Sequence, residues 1–252
     1  MVARRSLVRR APAAVAVVAV ALIGVVGSGP ASAGGGASGG VMPASAQPLG
    51  YSRADMTGLL ALFTTSGNQS QYYPDTPFQI LYVDPALSEP FRVVASDLTA
   101  PCTSPAPPCG LFATQSGPFS NSLTVPAGTR FFVPVDNADD SPPIVGTFPT
   151  TNDGAKRYIF DPLQAGGKDF AVIIDGVSTP LGPAYVAGPV TTPPLLDGGG
   201  THMITIGAFL NPMTPGQHTV RITGGYYGQG IRDTYGVGFI ALDFTYRVTV
   251  TA

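Results

Sequence analysis

Hydrophobic and polar residues alternate without interruption at the C-terminal end of the chain. Ile240, Leu242, Phe244, Tyr246, Val248 and Val250 share one parity, while Ala241, Asp243, Thr245, Arg247, Thr249 and Thr251 share the other. A period of two held this long predicts a β-strand with one face buried and the other in water, as antiparallel sheets allow. Shorter β-prone runs precede it at 79–83, 91–94, 123–125, 130–135, 170–174, 203–209 and 218–223. Turn chemistry separates them. Pro126-Ala127-Gly128-Thr129 reads as the turn of a hairpin, Asp175-Gly176 as a second tight turn, and Asn211 to Gly216 as the link between the last two runs.

One stretch keeps a helical period instead. Met56, Leu59, Leu60 and Phe63 stand at i, i+3, i+4 and i+7. Ser52-Arg53-Ala54-Asp55 ahead of them resembles a capping box with Asp in place of the usual Glu or Gln, and Gly67 closes the stretch. The predicted helix lays its apolar stripe on the core as a lid. The expected fold class is all-β: an antiparallel two-sheet β-sandwich, jelly-roll or immunoglobulin-like, with one short N-terminal helix. Frequent Gly (32) and Pro (26) between short apolar runs agree with a turn-rich β fold, and 44% hydrophobic residues suffice for a core.

The segments Cys109 to Phe119, Leu123 to Asn137, Ile174 to Val177, Met213 to Ile222 and Asp243 to Val250 carry recognisable turn-and-strand motifs, among them TVPAG, IDGV and PGQHTVR. In that order they resemble a group of secreted bacterial proteins of uncharacterised activity. The resemblance covers roughly residues 52 to 250. It implies a secreted β-rich domain and brings with it no substrate and no site.

The N-terminal pattern is of another kind. Arg4, Arg5, Arg9 and Arg10 precede an apolar stretch from Ala13 to Val26 broken only by Gly24, and Ala31-Ser32-Ala33 follows. That order predicts a cleaved secretory signal peptide over residues 1–33. Even counted from Ala11, the apolar run falls short of the roughly 20 residues that span a bilayer, so no membrane span is expected after cleavage. Arg4-Arg5-Ser6-Leu7-Val8 fits the twin-arginine export pattern and equally an ordinary signal with paired arginines. Residues 34–50, rich in Gly, Ala, Ser and Pro, read as a flexible tether, and residues 51–252 as a single β-sandwich domain. The expected location is secreted or cell-envelope associated.

Export changes the charge and the redox chemistry. Losing four arginines of 13 basic residues leaves nine against 15 acidic, a net of −6. An acidic chain without a Lys/Arg run argues against nucleic acid as a partner. Cys102 and Cys109 form an even, close pair, which in an oxidising compartment reads as a disulfide.

Motifs for chemistry are sparse. There is no Gly-x-Ser-x-Gly elbow and no His-Glu-x-x-His, and Glu89 is the only glutamate. His202 and His218, each near a methionine, lack the thiolate a blue-copper centre needs. Asp136, Asn137, Asp139 and Asp140 read as an oxygen-rich loop after a strand, the candidate site for structural Ca²⁺. Tyr226, Tyr227 and Tyr235 on a Gly-rich loop, with Tyr72 and Tyr73 on another, are the candidate ligand-binding residues, since tyrosines stack on sugars and anchor protein partners. The expected function is a non-enzymatic binding or structural protein, its partner a cell-wall glycan or another envelope protein. A calcium-stabilised domain and an unrecognised secreted hydrolase are the alternatives.

Overall fold

The predicted helix forms where its capping signal stands. In this computed structural model α1 runs Arg53–Thr65. The Ser52 hydroxyl accepts from the Asp55 amide at 3.1 Å, and the Asp55 carboxylate accepts from the Ser52 amide at 2.8 Å, a reciprocal capping box. At the other end Gly67 takes a left-handed φ of +72°, letting the Asn68 amide reach back to the Phe63 carbonyl. Met56, Leu60 and Phe63 are buried, while Leu59 stays partly exposed.

The structure describes residues 39–82, 92–94, 110–114 and 122–252, which lie in one compact unit, Ala37–Ala252. Cys102, Cys109 and the signal segment lie outside the described residues. In chain order the strands begin β1 (Gln79–Ile80), β2 (Arg92–Val94), β3 (Gly110–Thr114), β4 (Ser122–Pro126) and β5 (Phe131–Asp139). After α2 (Asn152–Phe160) come β6 (Gly167–Ile174), β7 (Val177–Pro180), β8 (Val186–Thr191), β9 (His202–Leu210) and β10 (Gly216–Tyr226). α3 (Gln229–Tyr235) leads into β11 (Ile240–Thr251). No helix among the described residues is long and apolar enough to cross a membrane.

The chain is mostly β, in two sheets. One has the order β1-β5-β9-β8; the other has β2-β3-β11-β10-β6-β7, with β4 also paired to β11. Both are mixed, which corrects the expectation of purely antiparallel pairing. β1 runs parallel to β5, and β3 and β4 run parallel to β11. β10 occupies one edge of β11 along almost its whole length, so β3 and β4 share the other edge end to end, at Ile240–Asp243 and Arg247–Thr251. The Pro126–Thr129 turn therefore joins no hairpin. It carries the chain from β4 in one sheet to β5 in the other. Asp175-Gly176 does close a hairpin: both residues have positive φ (48° and 84°), the geometry of a two-residue turn between Ile174 and Val177.

α2 and α3 were not legible as helices and correct the count of one. Each is short and contains glycine, which weakens the pattern. α2 is capped by the Thr151 hydroxyl, which accepts from the Gly154 amide at 3.1 Å, and buries Ala155, Tyr158 and Ile159.

Inner-face side chains of both sheets enter a single cluster: Phe131 and Val133 of β5, Ile204 and Ile206 of β9, Val172 of β6, Val220 and Ile222 of β10, and Phe244, Tyr246 and Val248 of β11. The opposite face of the β5–β9 sheet is covered too. Phe132 and Phe209 pack there with Phe78, Ile80 and the α1 residues Met56, Leu60 and Phe63. β9 is thus buried on both faces, and from Met203 to Leu210 it is apolar but for Thr205 rather than alternating. The stretch expected as a tether is docked from residue 39 onward: Val41 bridges Leu210, and the Met42 amide donates to the Phe209 carbonyl at 2.8 Å.

Candidate ligand cavity

Strand parity places Phe131 and Val133 of β5 on the core face, opposite Leu210 and Ala208. By the same parity Asp136 would face outward with Phe132 and Pro134. A β-bulge prevents this. Pro134 pairs with Gly207 and Asp136 with Ile206, so Val135 is the extra residue and Asp136 is turned to the core face. The aspartates expected in a loop thus lie in the strand as far as Asp139.

There Asp136 lines a cavity of about 400 Å³ at one end of the core, together with Tyr158 of α2, Tyr226 of β10 and Tyr235 of α3. Val145, Ile159, Ala165, Ile231 and Ile240 form an apolar wall. Asp139, Ser141 and Asp197 stand at the same opening. The Ser141 amide donates to Asp139 Oδ1 at 2.7 Å and its hydroxyl to Asp197 Oδ1 at 3.1 Å. Among the described residues no Lys, Arg or His contributes to the lining.

The electrostatics follow from burial without a counter-charge. Desolvation pushes the Asp136 carboxyl up to about 6, against the opposing pull of Tyr226 and the Asn137 amide. Asp139 is raised by burial and by its neighbours Asp197 and Asp140, with the Ser141 hydrogen bonds opposing. Burial lifts Tyr158 to about 12, and it lifts Tyr235 and Tyr226 with help from the nearby carboxylates. Tyr226 is 7% exposed. Its Oη lies close enough to Asp136 for each to shift the other's titration, yet it satisfies no hydrogen bond of good geometry.

The Gly-rich run around these tyrosines is not a loop. Gly224 to Tyr226 end β10, and residues 229–235 form α3. The glycines permit close approach. A Cβ on Gly224 would overlap the Phe170 ring, and one on Gly228 would overlap the Gln164 carbonyl in the turn before β6. That contact sets α3, and with it Tyr235 and Ile231, against the mouth of the cavity.

The remaining candidate residues are placed elsewhere. Tyr227 stacks on Phe239, with ring centroids 5.7 Å apart. Tyr73 packs edge-on against Phe63, and its hydroxyl accepts from the Ile80 amide at 3.0 Å; Tyr72 lies on the same α1-side cluster. Of the four aspartate-loop residues, Asn137 Oδ1 accepts from the Thr205 hydroxyl at 2.6 Å. Asp140 accepts from the amides of Thr201 (2.6 Å) and His202 (2.8 Å) and pairs with the His202 ring at 2.8 Å. Those bonds hold its carboxyl below its ordinary value against the penalty of burial. Among the described residues no group of three or more His, Cys, Asp or Glu converges to hold a metal.

No protein-family model, curated protein or solved structure matches this chain. Sequence reasoning reached Asp136, Asp139, Tyr226 and Tyr235 but missed Tyr158, Ser141, Asp197 and the apolar wall. The spacing of Ala155, Tyr158 and Ile159 on α2 was the signal for Tyr158; Asp197 carried none.

Proposed function

We propose that this is an exported, non-enzymatic β-sandwich protein of the cell envelope or extracellular space, which binds a small ligand in the cavity at Asp136 and Tyr226. The observation that carries the reading is a cavity at one end of the core lined by Asp136, Asp139 and Asp197 and by Tyr226, whose buried hydroxyl makes no hydrogen bond of good geometry. A buried polar group without a partner is destabilising by about 1–3 kcal/mol, and a ligand supplying the partner removes that penalty. The volume lies within the roughly 300–1,000 Å³ of small-molecule sites, and apolar walls with a few convergent polar groups are their usual form. The two-sheet sandwich is supported by the one hydrophobic cluster to which both sheets contribute. Export rests on the Arg-rich start, the apolar stretch and Ala31-Ser32-Ala33.

The direct test is a fragment screen by ligand-observed NMR on the purified protein and on Ala138→Leu, which places bulk at the cavity wall. Fragments that bind the native protein and not the variant are expected. If the two proteins bind the same fragments equally, the cavity is not the site.

A second reading is favoured by one observation. A carboxyl raised to about 6 beside other aspartates is what a general acid requires, so a hydrolase using Asp136 is the alternative. Turnover of any glycoside or ester that is lost in Asp136→Asn establishes it and ends the non-enzymatic reading.

A further inference from the structure

The lining of the cavity has a definite sign. Asp136, Asp139 and Asp197 bring carboxyl groups to it, and among the described residues no basic side chain lines it. Anionic ligands are disfavoured there, because they would add like charge where water is scarce. What the site lacks is a cation with hydrogen-bond donors. Tyr226 lines the cavity, and its buried Oη, beside Asp136, satisfies no hydrogen bond of good geometry, so it has lone pairs to offer. Tyr158, Tyr226 and Tyr235 line the same space, and aromatic rings attract cations.

Two kinds of cation differ in what they need. A hard metal ion takes six or more oxygen ligands and gains nothing from apolar walls. An organic ammonium ion requires one or two acceptors and tolerates apolar walls. Half of this cavity is apolar, through Val145, Ile159, Ile231 and Ile240. That wall matches an alkyl chain, whose burial contributes roughly 0.8 kcal/mol per CH₂.

We propose that the cavity binds a small primary alkylammonium ion, with the Asp136 carboxylate and Tyr226 Oη accepting from its N–H groups and the apolar wall taking its alkyl chain. This rests on the cavity being a ligand site, and the experiment separates the two claims. The purified full chain is titrated calorimetrically at pH 7.5 with hexylammonium chloride, with the neutral isostere hexan-1-ol, with glucose and with calcium chloride. Ala138→Leu, Asp136→Asn and Tyr226→Phe are titrated alongside, after circular dichroism shows each to be folded.

Hexylammonium is expected to bind at least tenfold more tightly than hexanol. Its affinity should fall at least tenfold in Asp136→Asn, severalfold in Tyr226→Phe, and beyond detection in Ala138→Leu. Equal binding of hexanol and hexylammonium overturns the ammonium assignment; loss of both in Ala138→Leu then leaves the cavity standing as a neutral site. Binding of glucose or calcium in preference to hexylammonium overturns it likewise. If no probe binds in a way that Ala138→Leu abolishes, both claims fall. The comparison of charged and neutral probes needs only the native protein, so a variant that does not fold leaves the proposal testable.

Discussion

Asp136 is held where its charge is unwelcome. Its native carboxyl titrates near 6, above its ordinary value of 3.8, so between about pH 4 and 6 the folded state keeps a proton that the unfolded chain has lost. Stability should therefore fall as pH rises through that window, with the whole penalty, at most about 3 kcal/mol, present above pH 6. Asp136→Asn removes the titration. Urea unfolding should find the variant more stable than the native protein at pH 7.5 and equal to it at pH 4. Taking the difference between the two proteins cancels the other groups facing the cavity, Asp139, Asp197, Tyr158, Tyr226 and Tyr235. No pH dependence in that difference would place Asp136 in water rather than in the cavity. A residue kept at such a position against stability fits a binding role better than a structural one. Its identity was visible in the sequence but its direction was not. Alternation assigns Asp136 to the outer face, and only the extra residue at Val135 reverses it.

At the scale of elements, local signals were read well and pairings were not. From Phe244 onward the alternation of β11 appears as expected, with Tyr246, Val248 and Val250 buried and Thr245, Arg247 and Thr251 exposed, whereas Ala241, expected in water, is buried against Phe239. The capping box of α1 was also legible, because its hydrogen bonds join residues three apart. Ser52→Ala should destabilise the protein by about 1 kcal/mol in chemical denaturation, and Ser52→Thr by much less. Which strand pairs with which depends on contacts distant in sequence, so the parallel partners of β11 left no trace in its own pattern. A second element-level device is the clamp at the β6–β7 hairpin. His218 Nδ1 lies 2.7 Å from Asp175 Oδ2, and its Nε2 lies 2.8 Å from the Thr214 carbonyl. The Asp175 hydrogen bond raises the His218 pKa against burial, so that contribution is full below about pH 6.5 and fades as pH rises through the native value. Burial works against the Asp175 carboxylate, but His218 and Thr219 hold it below 3.8, so its part is lost only as pH falls through that lowered value. The pair therefore stabilises most between about pH 4 and 6.5. His218→Gln should lose about 0.5–1 kcal/mol there, and less at pH 9, by urea denaturation. A loss that grows with pH would refute the ion pair.

For the molecule as a whole, the question is whether two mixed sheets behave as one body. Ile206 of β9 and Ile222 of β10 stand in different sheets, yet both belong to the cluster that also contains the cavity-lining residues Tyr158, Tyr226 and Ile231. If that cluster is the common core of a sandwich, the sheets share one unfolding transition, since neither can expose its inner face alone. Ile206→Ala and Ile222→Ala should each lower stability by about 2–5 kcal/mol. Both should shift a single transition seen alike by far-UV circular dichroism and by tyrosine fluorescence. The α1 side provides the contrast. Phe63 packs on the outer face of the β5–β9 sheet, in a separate cluster. Phe63→Ala is expected to destabilise by about 3–5 kcal/mol while leaving ligand binding at the cavity of the folded protein unchanged. Two resolved transitions in Ile206→Ala, one for each sheet, would mean that the cavity lies between bodies that open independently. Its ligand would then act as a fastener of the two sheets, and ligand binding would merge the two transitions into one.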